Sequence, residues 1–182
     1  MPHNCTPPVI LVVDDAPENI AFTGAVLHDH YNIKVATDGA RALELANTPP
    51  TPSLILLDVN MPGMTGYDVC RQLKASPTTR RVPVIFLTAK DDVEDEALGL
   101  GLGAADYLAK PVNPAILRAR VKTHLALFDQ RMALEEQVQE RTHELEESHL
   151  HLIECLIRAA GHRDNAPGQH VLRMSHSSQH LA

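Results

Sequence analysis

Val9-Ile10-Leu11-Val12-Val13-Asp14-Asp15 is an apolar, largely β-branched run that stops abruptly on two carboxylates. Such a run fits a buried parallel strand, which is apolar on both faces and delivers polar groups to the edge of a sheet. The layout recurs downstream. Ile33 to Ala36, Leu54 to Leu57, Val84 to Leu87 and Ala105 to Leu108 are further short apolar runs, separated by segments of helical character. Strands alternating with helices in this way predict an α/β fold, a doubly wound parallel sheet covered on both faces. The punctuation agrees: Pro17 sits where a first helical turn tolerates it, Asp38 can cap the next helix, and Pro62-Gly63 breaks the chain after the third strand. In doubly wound sheets ligands bind outside the carboxyl ends of the strands, which is where Asp14, Asp15, Asp58, Thr88 and Lys110 all fall.

That convergence has a definite chemistry. Magnesium takes hard oxygen ligands in near-octahedral geometry, commonly one or two carboxylates with water and phosphate oxygens. Asp14, Asp15 and Asp58 can supply the carboxylates, and three acids crowded at one sheet edge repel one another unless a cation joins them. With the ion in place, Asp58 can attack a phosphoryl donor in line and become an acyl phosphate. Lys110 can reach one phosphoryl oxygen as a mobile point charge, and the Thr88 hydroxyl can donate to another.

These residues resemble the receiver domain of two-component response regulators, and the likeness covers residues 8–125. It is carried by Asp14-Asp15 after the first strand, Asp58-Val59-Asn60-Met61-Pro62-Gly63-Met64-Thr65-Gly66 after the third, Leu87-Thr88-Ala89 after the fourth, and Gly103 through Pro111 around the fifth. The resemblance implies a flavodoxin-like (βα)5 sheet of order 2-1-3-4-5, a Mg2+ (or Mn2+) cofactor, and a sensor histidine kinase as phosphodonor to Asp58. It implies that the backbone carbonyl of Asn60 completes the metal shell and that the peptide before Pro111 is cis. It implies a switch in which Thr88 moves toward the phosphoryl group and Tyr107 turns inward, repacking the last strand and the helices on either side of it. Asn60 and Lys90 match the positions that flank the attacking water. A haloacid-dehalogenase-like phosphatase also forms an aspartyl phosphate, but it wants Asp-x-Asp after its first strand, which neither Asp14-Asp15-Ala16 nor Asp58-Val59-Asn60 supplies.

From Pro114 to Gly161 the chain lacks Gly and Pro between those two residues and is rich in Leu, Glu, Gln and Arg, which predicts one long helix. A heptad runs through Leu117, Val121, His124, Phe128, Arg131, Glu135, Val138, Thr142, Leu145, His149, Leu152 and Leu156, although five of these twelve are not apolar. Polar seam positions weaken a coiled coil and can fix its register, so the expectation for residues 126–160 is a coiled-coil signalling helix in a parallel homodimer. A helix packing a single stripe on the preceding domain is the alternative. At about 1.5 Å of rise per residue, a small rotation at the receiver would be felt tens of ångströms away.

The segment after Gly161 reads as a turn, followed by a helical face of Val171, Met174, Ser178 and Leu181. Leu156 through Ser175 resembles the opening of an HD-GYP phosphohydrolase domain, a family that hydrolyses cyclic di-GMP at a histidine-rich metal centre. By that resemblance His170 matches a metal-ligating histidine, and Ala166 stands where many members have a glutamate ligand. The His-Asp dyad and the Gly-Tyr-Pro motif of that family are expected downstream of this segment, beyond Ala182, so residues 161–182 are expected to be the truncated start of an output domain. Two function classes follow: a phosphorylation-controlled dimerising switch with no turnover on an external substrate, or the regulatory part of a metal-dependent cyclic di-GMP phosphodiesterase.

Composition narrows the partners. Sixteen Lys and Arg against 23 Asp and Glu give a net charge of −7. Residues 127–182 hold five Arg, no Lys and nine acids, or 5 − 9 = −4. A DNA-binding output is therefore disfavoured. No apolar run approaches the roughly 20 residues of a bilayer span, and Cys5, Cys70 and Cys155 have neither disulfide-framework nor zinc-ligand spacing, so a reducing cytoplasm is expected. His28-Asp29 is read as a surface dipeptide, and Gly99, Gly101 and Gly103, which precede a strand, as turn and packing residues.

Overall fold

A computed structural model describes residues 7–89 and 101–164. In chain order its elements are β1 (Val9–Val13), α1 (Pro17–Leu27), β2 (Asn32–Ala36), α2 (Gly39–Asn47), β3 (Leu54–Asp58), α3 (Gly66–Ala75), β4 (Val84–Ala89), β5 (Asp106–Lys110) and α4 (Pro114–Asp164). The five strands form one sheet in the order β2-β1-β3-β4-β5, every neighbouring pair parallel. This is the flavodoxin-like order that the family resemblance implied. Lys90 and residues 165–182, with the Val171, Met174, Ser178 and Leu181 face, His170 and Ala166, lie outside the described residues.

The sheet has two cores because successive side chains of a strand point to opposite faces. Leu11, Val13, Ile55, Leu57, Val84 and Phe86 pack on one face with Ala42 and Ala46 of α2 and Val69, Cys70 and Leu73 of α3. Ile10, Val12, Leu54, Leu56, Ile85 and Leu87 pack on the other with Leu27 of α1 and Leu117, Val121 and Leu125 of α4. The inner strands β1 and β3 are buried along their whole length, whereas the edge strands β2 and β5 expose part of theirs. That difference explains why the inner strands read as unbroken apolar runs.

Local signals act where the sequence puts them. Pro17 occupies the first turn of α1, and the Asp38 carboxylate caps α2 by accepting from the Arg41 amide at 2.8 Å. Thr65 caps α3 through the Asp68 amide. His28 and Asp29 pair at the surface, at 3.1 Å. Cys70 is buried, which pushes its thiol up, and neither Cys70 nor Cys155 is bridged.

The chain divides into two units, Met1–Arg131 and Met132–Ala182, and α4 crosses from one to the other. Within the first unit the stripe Leu117, Val121 and Leu125 is consumed by the core, so the opening positions of the predicted heptad face the sheet. Within the second, Leu134, Val138, Leu145, Leu152 and Leu156 are all exposed. The helix also continues through Gly161 to Asp164, where the sequence reading placed a turn. One glycine costs a helix interior only about 1 kcal/mol relative to alanine, which is too little to end it.

Leu56→Ala, in the most enclosed part of the sheet, is expected to cost about 2–5 kcal/mol in chemical denaturation. Val35→Ala, on an edge strand and 41% exposed, is expected to cost less than about 1 kcal/mol. Equal losses would contradict this account of the core.

Candidate functional site

The register decides which side chains meet. Val13 pairs with Leu57, so Asp14 and Asp58 stand side by side at the carboxyl ends of β1 and β3. From these two strands the chain leaves in opposite directions, β1 through α1 on one face and β3 through α3 on the other. The crevice opened by that divergence is where ligands settle in doubly wound sheets. Thr88 pairs with Ala109 and Ala89 with Lys110, which sets the ends of β4 and β5 beside the crevice.

Oxygens of Asp14, Asp15 and Asp58 come within 4.8 Å of one another. Asp14 and Asp58 are buried and Asp15 is exposed. Into this group reaches the Lys110 ammonium, donating to Asp14 Oδ2 at 2.8 Å and to Asp58 Oδ1 at 2.7 Å. The other Asp14 oxygen, Oδ1, accepts from the Ala16 amide and from Asn19 Nδ2, each at 2.9 Å. Asp14 is thus fixed on both sides while Asp58 is held from one. The Lys110–Pro111 peptide is cis.

The electrostatics follow from burial. Desolvation pushes the Asp58 carboxyl above its ordinary value, reinforced by the charges of Asp14 and Asp15; the hydrogen bond and charge of Lys110 oppose this without cancelling it. For Lys110, burial alone would lower the ammonium, but its bonds to Asp14 and Asp58 outweigh that and raise it. The donor set of three clustered carboxylates is hard, anionic and partly open to solvent, and it fits a magnesium-type ion.

The backbone beneath Asp58 is braced. The Gly66 amide donates to the Val59 carbonyl at 2.9 Å, and a β-carbon on Gly66 would collide with the Asp58 carbonyl oxygen. Gly63 turns the intervening loop at φ +80°. Asn60, exposed, follows in that loop. Thr88 is half-buried, and Tyr107 is half-buried against the α2–α3 core, in register with Phe86, whose ring meets Tyr67 edge-on at 5.1 Å.

The predicted carboxylates and Lys110 therefore come together, with Thr88 on the adjoining strand and Tyr107 farther along β5. Sequence reading missed Asn19, which orients Asp14 from one turn into α1. It also missed the Asp106 carboxylate, which takes His124 Nε2 at 3.0 Å and an Arg120 nitrogen at 3.1 Å. An acid opening a strand and a cation on a later helix carry no local signal, since only the fold brings them together.

Comparison with known proteins agrees with this geometry. Residues 10–122 match the response regulator receiver domain family. A Vibrio cholerae protein named as a probable cyclic di-GMP phosphodiesterase is 44% identical over 180 residues, covering 95% of this chain and 41% of its own length. Response regulator PleD of Caulobacter vibrioides is 47% identical over 115 residues, 63% of this chain and 25% of PleD. The chain thus spans well under half the length of these relatives. Among solved structures, the Vibrio cholerae chemotaxis protein CheY4 superposes with a TM-score of 0.61 at 29% identity, covering 65% of this chain and 98% of that one. A Francisella response regulator receiver domain gives a TM-score of 0.60 at 32% identity, over 65% and 97% of the two chains. With motif, strand order and site geometry all in agreement over most of the first unit, the chain belongs to the response regulator receiver family.

Proposed function

We propose that Asp58 accepts a phosphoryl group from a sensor histidine kinase and that α4 carries the consequence to an output domain. The observation that supports this most directly is the Lys110 ammonium shared between Asp14 and Asp58 beside a third carboxylate. Receiver domains as a class bind magnesium in such an acidic pocket and draw on a histidine kinase. Asp14, Asp15, Asp58 and the Asn60 carbonyl would hold Mg2+ (or Mn2+), whose charge neutralises phosphoryl oxygens. An Asp58 oxygen forms the new bond to phosphorus as the bond to the donor's imidazole nitrogen breaks, and that nitrogen keeps the electron pair and takes a proton. The raised basicity of Asp58 suits a nucleophile. Lys110 then transfers one donor to a phosphoryl oxygen and Thr88 supplies another, contacts made only in the phosphorylated packing, which bias Thr88 and Tyr107 toward it.

For the second unit we propose a parallel homodimer. Val138, Leu145 and Leu152 recur at heptad spacing and are exposed along with Leu134 and Leu156, a stripe that a lone helix leaves in water. Residues 8–125 then form the receiver, 126–160 the signalling helix and 161–182 the start of an HD-GYP-type output domain. The 44% identity to a protein named as a probable cyclic di-GMP phosphodiesterase favours a longer protein of that activity, with this chain as its regulatory part. Among the described residues no helix is long and apolar enough to cross a membrane.

Incubation with acetyl phosphate and magnesium is expected to add about 80 Da at Asp58 and nothing in Asp58→Asn, read by peptide mass; an adduct elsewhere contradicts the assignment. The melting experiment has a definite sign. A folded carboxyl raised above its ordinary 3.8 destabilises the protein wherever it is ionised. In magnesium-free buffer Asp58→Asn should therefore melt higher than the parent at pH 7, with the gain shrinking as the pH falls toward 3.8. A gain that grows on acidification refutes the charge argument. Leu145→Glu with Leu152→Glu should abolish the dimer in sedimentation while leaving Asp58 acylation intact; an unchanged oligomer removes the coiled coil from the proposal.

A further inference from the structure

β5 is tied to other elements at both of its ends. At its carboxyl end the Lys110 ammonium spans Asp14 and Asp58. At its amino end the Asp106 carboxylate reaches across to α4, where Oδ2 accepts from His124 Nε2 at 3.0 Å and from an Arg120 guanidinium nitrogen at 3.1 Å. These bridges join residues remote in sequence, unlike Arg41–Glu44, Arg71–Asp68 and Arg141–Glu144, each of which lies within one helix. Strand side chains return to the same face every second residue, so Asp106, Leu108 and Lys110 share one side of β5. Leu108 packs there with Leu117, Val121 and Leu125 of α4, while Tyr107 lies on the other side against the α2–α3 core.

The Asp106 carboxylate joins strand to helix through its two oxygens. Oδ1 accepts from the Tyr107 amide at 2.9 Å, so the carboxylate moves with the main chain of β5. Oδ2 holds Arg120 and His124, which stand one turn apart on α4 and so present adjoining side chains. The apolar contact of Leu108 with α4 is non-directional and tolerates slip, whereas hydrogen bonds to a charged group are directional and fix a register. The side chains of Asp106 and His124 are only 13% and 14% exposed, so solvent screens their interaction little; Arg120, 54% exposed, adds a weaker contact.

We propose that Asp106 is a positioning residue for the response to phosphorylation: it fixes the register of α4 on β5, so that the helix follows the strand when Lys110 exchanges a carboxylate for a phosphoryl oxygen. The inference rests on Asp58 being the phosphoacceptor and on nothing that the second unit does. Asp106 touches none of the reacting groups. It stands at the far end of a five-residue strand from Lys110, roughly 13 Å away at about 3.3 Å of rise per residue. With the bridge cut, α4 keeps only its apolar seat, and β5 can shift beneath it without moving it. Acylation itself does not need the bridge, because Asp14 and Lys110 are held in place by other contacts.

The test is amide hydrogen exchange, read by peptide mass on the full 182-residue chain before and after treatment with acetyl phosphate and magnesium. In the parent, acylation of Asp58 is expected to change exchange in the α4 peptide spanning residues 114–131 by about threefold or more. Asp106→Ala should still gain about 80 Da at Asp58 yet lose most of that change. Arg120→Ala combined with His124→Ala cuts the same bridge from the helix side and should do likewise, and it decides the matter if Asp106→Ala does not fold. Asp106→Asn, which keeps an oxygen acceptor, should restore part of the response. Leu27→Val loosens the core through α1 and should leave the response intact, which separates coupling from a mere loss of stability. An α4 peptide that responds in the bridge-cut variants as it does in the parent overturns the proposal, as does loss of the response in Leu27→Val or a parent that is acylated with no change in α4. A parent that is not acylated at Asp58 overturns the phosphoacceptor reading itself, and this inference with it.

Discussion

The Lys110 ammonium, shared between two carboxylates at the end of a parallel sheet, is the interaction around which the first unit is organised. Asp14 and Asp58 are both withdrawn from water, and either one left without a cation would destabilise the fold by the desolvation of an unpaired charge. The sheet meets this by ending β5 so that one long side chain spans both. The arrangement holds the carboxylates in place yet leaves them chemically responsive, since Asp58 is bound from one side and Asp15 faces solvent.

The rest of the architecture serves that position. Alternating side chains split the inner strands between two cores, so α1 and α3 must leave the sheet on opposite faces, and the crevice between β1 and β3 is the necessary result. Membership of the receiver family is then a statement about geometry as much as about sequence: the motif residues are spaced along the chain as the strand order requires. The same helix that closes one core, α4, continues into the second unit, and the link from Asp106 to His124 and Arg120 ties its first turns to the strand bearing Tyr107 and Lys110.

The inner strands were legible because burial on both faces leaves nothing but apolar residues to read, and Asp14 and Asp58 stood out because each stands at the end of such a strand. Asp38 and Pro17 announced their helices through capping chemistry that is local. The edge strands were less sharply bounded: β5 begins and ends one to two residues later than its apolar run, since it is partly exposed. The heptad was read as one seam, whereas its opening turns belong to the core; a periodicity cannot say which surface a stripe will meet.

Gly66 has a wider meaning. With α3 seated directly on the main chain of Asp58 and no room for even a methyl group between them, the peptide that carries this carboxylate cannot recoil when its load changes. A rigid anvil of this kind transmits force instead of absorbing it. What room there is for adjustment near the crevice lies instead at the partly exposed margin of the sheet, along β5.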